Sequence, residues 1–214
     1  MRHLALIMAV LICAGPGAAG PWLRATGERF LSFSTEWTGP GDDIFASAYF
    51  EYGVTPRVTL GFDLGSSESD FYKAVIFAKR PLDWFGSPLK MSVEMGVGVT
   101  DDAAVVRPGV SLGRGFALGS RSGWITVDTL FAIEIESGDT DLTTDVTFGV
   151  NLSGRSKLIL QLQSGDHLLD PDYLKFVPSF VFETRPGQHF EIGALTGLRN
   201  SEDLGLKLGL WRKF

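Results

Sequence analysis

The fold is decided by residues 142–152, LTTDVTFGVNL. The even positions of this stretch carry Leu, Thr, Val, Phe, Val and Leu, whereas the odd positions carry Thr, Asp, Thr, Gly and Asn. Because successive side chains of a β-strand point to opposite faces, a period of two predicts a strand with one apolar and one polar face. The preceding residues 123–136 alternate in the same way, so the two stretches are predicted to be consecutive strands.

The same alternation recurs along the chain and predicts about twelve strands. They are expected near 30–37, 44–53, 57–65, 70–79, 88–99, 103–113, 123–136, 141–152, 156–164, 173–184, 188–198 and 204–214. Turn-forming residues separate them, as in Arg185-Pro186-Gly187. Several of these strands are close to the length of about ten residues that a tilted strand needs to cross a bilayer.

Alternation alone fits a soluble sandwich as well as a membrane barrel, since each has sheets with one apolar face. The polar face favours the barrel, because charged residues lie in the middle of many strands, where they would line a hydrated lumen. The residues predicted to face the lumen are Glu36, Glu51, Asp63, Lys73, Lys90, Glu94, Arg107, Asp128, Glu134, Asp145, Lys175, Glu183, Glu191 and Lys207, together with Arg57.

The charge of the predicted turns also favours a barrel. If both termini lie in the periplasm, the odd-numbered hairpins face outward and are acidic, whereas the even-numbered turns are basic. The acidic set is Asp42, Asp43, Glu68, Asp70, Asp101, Asp102, Asp139, Asp141, Asp166, Asp170, Asp172, Glu202 and Asp203, opposed by Arg199. The basic set is Arg57, Arg80, Arg114, Arg121, Arg155, Lys157 and Arg185, with Asp83 as the main exception.

The first nineteen residues read as a cleaved signal peptide. A positive start at Arg2 is followed by the apolar run 4–14 and by small residues up to Ala19. Residues 1–19 are therefore the predicted signal, and residues 20–214 the predicted barrel domain; a buried N-terminal helix is the alternative. The only cysteine, Cys13, leaves with the signal, which excludes disulfides in the mature chain.

The end of the chain carries a resemblance to a known superfamily. Leu204, Leu206, Leu208, Leu210 and Phe214 lie on one face of the last predicted strand. In this the chain resembles the bacterial outer-membrane β-barrel superfamily, whose last strand ends in an aromatic residue that the barrel-assembly machinery reads.

The resemblance implies an antiparallel up-and-down transmembrane β-barrel of about twelve strands in the outer membrane of a Gram-negative bacterium. Phe214 is then the assembly signal. The implied partners are outer-membrane lipid, lipopolysaccharide and the assembly machinery. One departure from the pattern is Arg212, an outward position where an apolar residue is usual, although its stem can snorkel to the interface.

The composition disfavours several function classes. A net charge of −6 and a pI of about 5.1 argue against nucleic-acid binding, which needs a basic face. After cleavage only His167 and His189 remain, and neither has a serine partner or a second metal ligand that the spacing can justify. The sequence therefore predicts no enzyme, no metal and no cofactor.

Two function classes remain. The predicted lumen holds nine acids and six bases, or eight bases if Lys79 and Lys213 are included, which is too balanced for a pore selective for anionic sugars. Interleaved charges could pair across the lumen and narrow it. The first hypothesis is a narrow passive channel for small solutes, and the alternative is a non-conducting structural or interaction barrel. The sequence leaves the solute and the oligomeric state open.

Deletion of Phe214 tests the assembly signal. Loss of the terminal aromatic removes the group that the assembly machinery is expected to bind, so the truncated protein should assemble slowly and be degraded in the periplasm. Quantitative immunoblots of outer-membrane fractions measure this effect. A normal outer-membrane level of the truncated protein would show that the signal lies elsewhere.

Overall fold

The structure is a computed structural model that describes residues 20–38, 44–67, 71–82, 88–166, 173–200 and 204–214. The predicted signal peptide, 1–19, lies outside the described residues. The strands are β1 Arg29–Trp37, β2 Ile44–Thr55, β3 Val58–Ser66, β4 Phe71–Pro81, β5 Leu89–Thr100, β6 Ala103–Leu118, β7 Arg121–Glu134, β8 Thr140–Asn151, β9 Ser156–Asp166, β10 Tyr173–Arg185, β11 Gln188–Arg199 and β12 Leu204–Lys213. Within these ranges, no helix has the length and apolar character to span a membrane.

The strands form a closed antiparallel barrel. Each strand pairs with its neighbours in the sequence, and β1 pairs with β12 from Phe30↔Lys213 to Trp37↔Leu206. Closure leaves no strand of this ring at an open edge, so the backbone N–H and C=O groups of the ladder are satisfied without water. The predicted all-β, up-and-down barrel of twelve strands is confirmed.

The boundary between β6 and β7 differs from the prediction. Pairing continues to Leu118↔Arg121, so both strands extend beyond their predicted ends and the connection is only Gly119-Ser120. Gly119 has φ +60°, the left-handed conformation that a tight hairpin needs and that glycine adopts without strain. Arg114, predicted in the turn, lies within β6 opposite Leu89.

Arg57 is also placed differently. It lies exposed in the turn between β2 and β3, because Thr55↔Val58 already closes that hairpin. Its predicted position on the polar face of a strand is therefore wrong, whereas its place among the basic turns agrees with the structure.

The outer surface of the barrel is apolar. Aromatic pairs stack on this surface, with ring centroids 5.2 Å apart for Phe50–Phe62 on the neighbouring strands β2 and β3. The rings of Phe116 on β6 and Phe148 on β8 are also 5.2 Å apart, across β7, where Gly123 has no side chain in the way. Exposed large apolar residues include Phe33, Trp37, Leu60, Leu64, Ile76, Met95, Val97, Ile125, Phe131, Leu158, Leu162, Phe180, Ile192, Leu206, Leu208 and Leu210. So continuous an apolar surface is unusual for a soluble monomer and fits contact with hydrocarbon.

The predicted acidic hairpins are described only in part. Asp101 and Asp102 form the β5–β6 turn with positive φ angles, and Asp139 lies in the β7–β8 connection. Asp141 and Asp166 belong to β8 and β9 rather than to the turns. The remaining predicted acids, Asp42, Asp43, Glu68, Asp70, Asp170, Asp172, Glu202 and Asp203, lie outside the described residues, as do Asp83 and His167.

Cysteine substitutions at two adjacent positions test which face of β7 meets lipid. Val127 pairs with Leu112 and Val146 on the apolar exterior, whereas Asp128 lines the interior. In the folded protein, a cysteine replacing Asp128 should react with a small water-soluble maleimide, and one replacing Val127 should be shielded by lipid. In addition, V127D should hinder insertion, because a carboxylate in hydrocarbon costs on the order of a few kcal/mol at mid-bilayer. Reversed labelling would overturn the assignment of the two faces.

Candidate functional site

The interior of the barrel contains a cavity of about 250 Å³. Side chains of both charge signs line it, together with Ser, Thr, Gln and aromatic groups. The charged lining residues are Asp63, Lys79, Glu94, Arg107, Asp128, Asp145, Glu191 and Lys207. The cavity is the candidate functional site, because a closed barrel with an apolar exterior can meet a polar solute only in its lumen or at its ends.

The chain enters this lumen before the first strand begins. Gly20 lines the cavity, and Trp22 packs against the buried core cluster of inward-facing side chains. That cluster is Phe30, Trp124, Ile159, Val181 and Trp211. At Gly113 a Cβ would lie 2.8 Å from Cδ of Pro21, so β6 and the entering chain are in direct contact. Residues 20–25 are called the lumenal segment below.

Arg24 anchors the lumenal segment to the barrel wall. Its Nε donates to Oε2 of Glu51 at 2.6 Å, and only 2% of either side chain is exposed. The backbone N–H of Arg24 donates to Oγ1 of Thr59 at 3.0 Å, and its guanidinium lies 4.4 Å from the centroid of the Phe30 ring. The segment is therefore held by a buried ion pair, a backbone hydrogen bond and a cation–π contact.

Gly53 lets the chain approach β2 closely. The N–H of Gly27 donates to the carbonyl of Gly53 at 2.8 Å, and the N–H of Gly53 donates to the carbonyl of Glu28 at 3.0 Å. A Cβ at position 53 would overlap the carbonyl oxygen of Ala25. Any side chain here would displace residues 25–28, so the glycine is a steric requirement of the lumenal segment.

Glu51 connects the lumenal segment to the wall charges. Besides Arg24, its carboxylate accepts from Nζ of Lys79 at 3.0 Å and from the hydroxyl of Tyr49 at 2.8 Å. Lys79 is itself buried and extends to Oε2 of Glu94 at 3.9 Å. A charged group buried in this way must be paired, since an isolated charge away from water is very costly.

Arg107 continues this chain of ion pairs across the wall. It donates from Nη2 to Glu94 at 3.1 Å and from Nη1 to Asp63 at 2.7 Å. Asp63 also accepts from Nζ of Lys73 at 3.0 Å. An unbroken network therefore runs from the lumenal segment over strands β2 to β6, in the order Arg24, Glu51, Lys79, Glu94, Arg107, Asp63 and Lys73.

A second, smaller group lies at the closure of the barrel between β1 and β12. Nζ of Lys207 on β12 is 3.7 Å from Oε1 of Glu191 on β11 and 3.8 Å from Oε1 of Glu36 on β1. Lys207 therefore links three adjacent strands, and its one ammonium offsets only one of the two carboxylate charges.

Asp128 and Asp145 form a third group that contains no base. They are directly opposite each other on β7 and β8, and in the described part of the chain neither makes an ion pair. Oδ2 of Asp145 accepts from the side-chain amide of Gln161 at 3.2 Å, whereas the buried Oδ2 of Asp128 has no hydrogen-bond partner there. Like charges directly across a strand pair are destabilising.

Four predicted lumen residues lie away from these groups. Lys90 is exposed, and Lys175 lies 5.5 Å from the Tyr173 ring centroid. Glu134 accepts from the Ser137 hydroxyl in the β7–β8 connection at 2.7 Å. Glu183 accepts from the N–H of Gly187, and one of its oxygens is 3.8 Å from Nε of the exposed Arg155.

The part of the site that the sequence does not predict is the lumenal segment. The lumenal segment, with Trp22 and Arg24, lies before the first strand and has no periodic pattern. Its position depends on contacts with distant strands, which no local pattern reports.

Phe214 completes the backbone hydrogen bonds between β1 and β12 at the seam, the line along which the barrel closes. Its carbonyl accepts from the N–H of Arg29 at 2.8 Å, and its N–H donates to the carbonyl of Arg29 at 3.1 Å. The phenyl ring is 51% exposed, and the guanidinium of Arg212 lies 5.4 Å from its centroid. The described residues contain no group of three or more His, Cys, Asp or Glu side chains placed to hold a metal ion.

The fold is similar to those of solved bacterial outer-membrane channels. The NanC porin aligns with a TM-score of 0.66 at 9% identity, covering 86% of this chain and 100% of NanC. The KdgM porin aligns with a TM-score of 0.62 at 9% identity, covering 86% and 99%. An outer-membrane channel from Pseudomonas putida F1 aligns with a TM-score of 0.56 at 11% identity, covering 93% and 99%.

These likenesses are confined to the fold. No model of a protein family and no curated protein sequence matches the chain. The protein shares the closed β-barrel fold of these channels, and its apolar exterior fits contact with a lipid bilayer.

Replacing Glu51 by Gln tests the anchor of the lumenal segment. The substitution leaves Arg24 and Lys79 without their shared carboxylate, and breaking a buried pair in this way costs about 3–5 kcal/mol. We expect a lower free energy of unfolding in lipid vesicles and faster hydrogen exchange of the amides of residues 20–28. E183Q is the matched control, because the Glu183–Arg155 pair is exposed and contributes at most about 1 kcal/mol. Equal effects of the two substitutions would contradict the anchoring role.

Proposed function

We propose that this outer-membrane barrel is a narrow passive channel for small hydrophilic solutes. The observation that carries the proposal is the cavity inside a closed barrel, where charged side chains from β3 to β8, β11 and β12 line the wall together with apolar and aromatic ones. Twelve strands enclose a wider interior than the eight strands of small barrels, whose lumen side chains alone can fill. Retaining many charged groups inside, at the cost of their desolvation, is better explained if solutes or ions pass them.

The groups that fill part of the lumen support a narrow path for solutes through the barrel. The ion-pair network occupies one wall, and the lumenal segment packs Trp22 against inward-facing aromatic side chains at the end of the barrel that holds the chain termini. What remains is a cavity of about 250 Å³, which is at the lower limit of typical small-molecule sites. Small solutes fit this space, and folded or bulky molecules do not.

The charge of the lining supports a preference for cations. Asp63, Glu94, Asp128, Asp145 and Glu191 line the cavity with five carboxylates, against three bases, Lys79, Arg107 and Lys207. The bases are paired with acids, whereas Asp128 and Asp145 are not. One solved KdgM structure is a complex with disordered oligogalacturonate, an acidic sugar. Because acids outnumber bases in this lumen, we expect no comparable preference for polyanions.

The second candidate is a non-conducting structural or interaction barrel of the outer membrane. The observation that favours it is the lumenal segment itself, which together with the ion pairs closes part of the interior. In either case the chain is expected to contact outer-membrane lipid and lipopolysaccharide and to be assembled through Phe214. Neither candidate includes an enzymatic reaction or a cofactor.

Planar-bilayer recordings of the purified, folded protein separate the two candidates. A channel should give discrete steps of small conductance, and its reversal potential in a salt gradient should report cation preference. Replacing both Asp128 and Asp145 by Asn should shift selectivity toward anions, because the wall loses negative charge while the bases remain.

The matched control is E134Q/E183Q. It removes the same number of charges from the barrel ends, where they lie outside the cavity lining, so it should shift selectivity less. Inserted, folded protein that carries no current would reject the channel and favour the structural barrel. Equal shifts in the two double variants would show that overall charge, and not the wall of β7 and β8, sets the selectivity.

A further inference from the structure

The facing strands β7 and β8 place two buried oxygen atoms without a hydrogen-bond partner at the cavity wall. They are Oδ2 of Asp128 and Oγ1 of Thr147, and neither makes a hydrogen bond within the described part of the chain. Thr147 is 5% exposed, and it lies two residues along β8 from Asp145, which is directly opposite Asp128. Buried polar groups nearly always have a hydrogen-bond partner in the protein or in ordered water, so these two oxygens at the cavity wall are placed to accept hydrogen bonds from a solute.

The chemistry of this cluster calls for a cation with hydrogen-bond donors. Its free atoms are carboxylate and hydroxyl oxygens, and the side chains of directly opposed residues are separated by about 4.5–5.5 Å at Cβ. Both carboxylates and Thr147 line the cavity, so a solute in the lumen can reach them. The nearby basic residues are engaged elsewhere, Lys79 with Glu51 and Lys207 with Glu191.

A primary ammonium group matches the cluster better than a bare metal ion does. It carries three N–H donors, which suits one oxygen from each of Asp128, Asp145 and Thr147. Calcium takes about six to eight oxygen ligands, and magnesium holds its waters in a strict octahedron. Hydrogen bonds from an ammonium to carboxylates are charge-assisted and therefore among the stronger ones.

We propose that Asp128, Asp145 and Thr147 form a binding site in the lumen for the protonated primary amine of a small solute. The site rests on the proposed function, in that a solute would occupy it while crossing the channel. The cavity of about 250 Å³ admits a small molecule, and a short amino alcohol fits within it. Binding neutralises the repulsion between the two carboxylates and supplies donors to their free oxygens.

Saturation-transfer NMR on the folded protein in detergent micelles tests the site without requiring conduction. The probes are ethanolamine, a primary ammonium at neutral pH, and tetramethylammonium, which has the same charge but no N–H donor. We expect saturable transfer to ethanolamine, and binding of tetramethylammonium that is weaker by about tenfold or more. Equal binding of the two ions would overturn the proposal, since charge alone would then explain it.

Variants assign the binding to the named residues. D128N/D145N should weaken ethanolamine binding about tenfold or more, while E134Q/E183Q, with the same change in net charge, should leave it unchanged. T147V keeps both carboxylates and nearly the same volume, and we expect a smaller loss, of several-fold. Heat-modifiable gel migration verifies that each variant is folded, and T147V keeps the test decisive if D128N/D145N fails to fold. Unchanged binding in a folded D128N/D145N or T147V variant would overturn the assignment.

Failure of this site and failure of the channel are distinguishable. Ethanolamine binding that depends on these residues, in a protein that carries no current, supports the site and rejects conduction. A conducting protein in which ethanolamine neither binds nor slows the potassium current overturns the site and leaves the channel intact.

Discussion

The structure depends on the requirement that every backbone polar group in the hydrocarbon region finds a partner within the protein. The pairing of β1 with β12 satisfies it by closing the sheet into a ring, with Phe214 and Arg29 completing the ladder at the seam. Closure divides the alternating side chains into an apolar exterior and a polar interior. Each charged residue on the inner face is thereby removed from bulk water and needs a partner in the lumen.

The three parts of the lumen differ in how far they meet this need. On strands β2 to β6, bases and acids alternate in one network, which begins at Arg24 of the lumenal segment. Where the barrel closes, Lys207 pairs with two carboxylates from adjacent strands. On β7 and β8, Asp128 and Asp145 have no base. Desolvation offsets much of the attraction in a buried ion pair, so the main effect of the first network is to hold the lumenal segment in position. The wall of β7 and β8 is left with two acids and no base.

Much of the fold was predictable from the sequence, because the two-residue period of a strand is a local property. The alternation in 142–152 predicts that Asp145 and Val146 lie on opposite faces of a strand. The same period along the rest of the chain predicts twelve strands, with small errors at their ends. The error at β6 and β7 arose because Arg114 and Gly115 look like turn residues, although ladder pairing continues through them.

The arrangement of the site was less predictable, because it depends on contacts between strands. The alternation of apolar and polar residues places Glu51 and Lys79 on the polar faces of their strands, but it does not show that the two side chains contact each other. That contact depends on which strands pair and on how the strands tilt, and the whole ring sets both. Arg24 and Glu51 are 27 residues apart, and nothing in the pattern around Arg24 indicates that it is buried. The lumenal segment therefore emerged only from the three-dimensional structure.

Residues 20–25 occupy the lumen of the barrel, and a cysteine crosslink tests this directly. The only native cysteine, Cys13, lies in the predicted signal peptide, so the double variant P21C/G113C introduces two thiols where Pro21 contacts β6. In outer-membrane fragments treated with a mild oxidant, we expect an intramolecular disulfide between positions 21 and 113, identified by mass spectrometry of the digested protein. Two free thiols that both react with maleimide, without crosslinking, would contradict it.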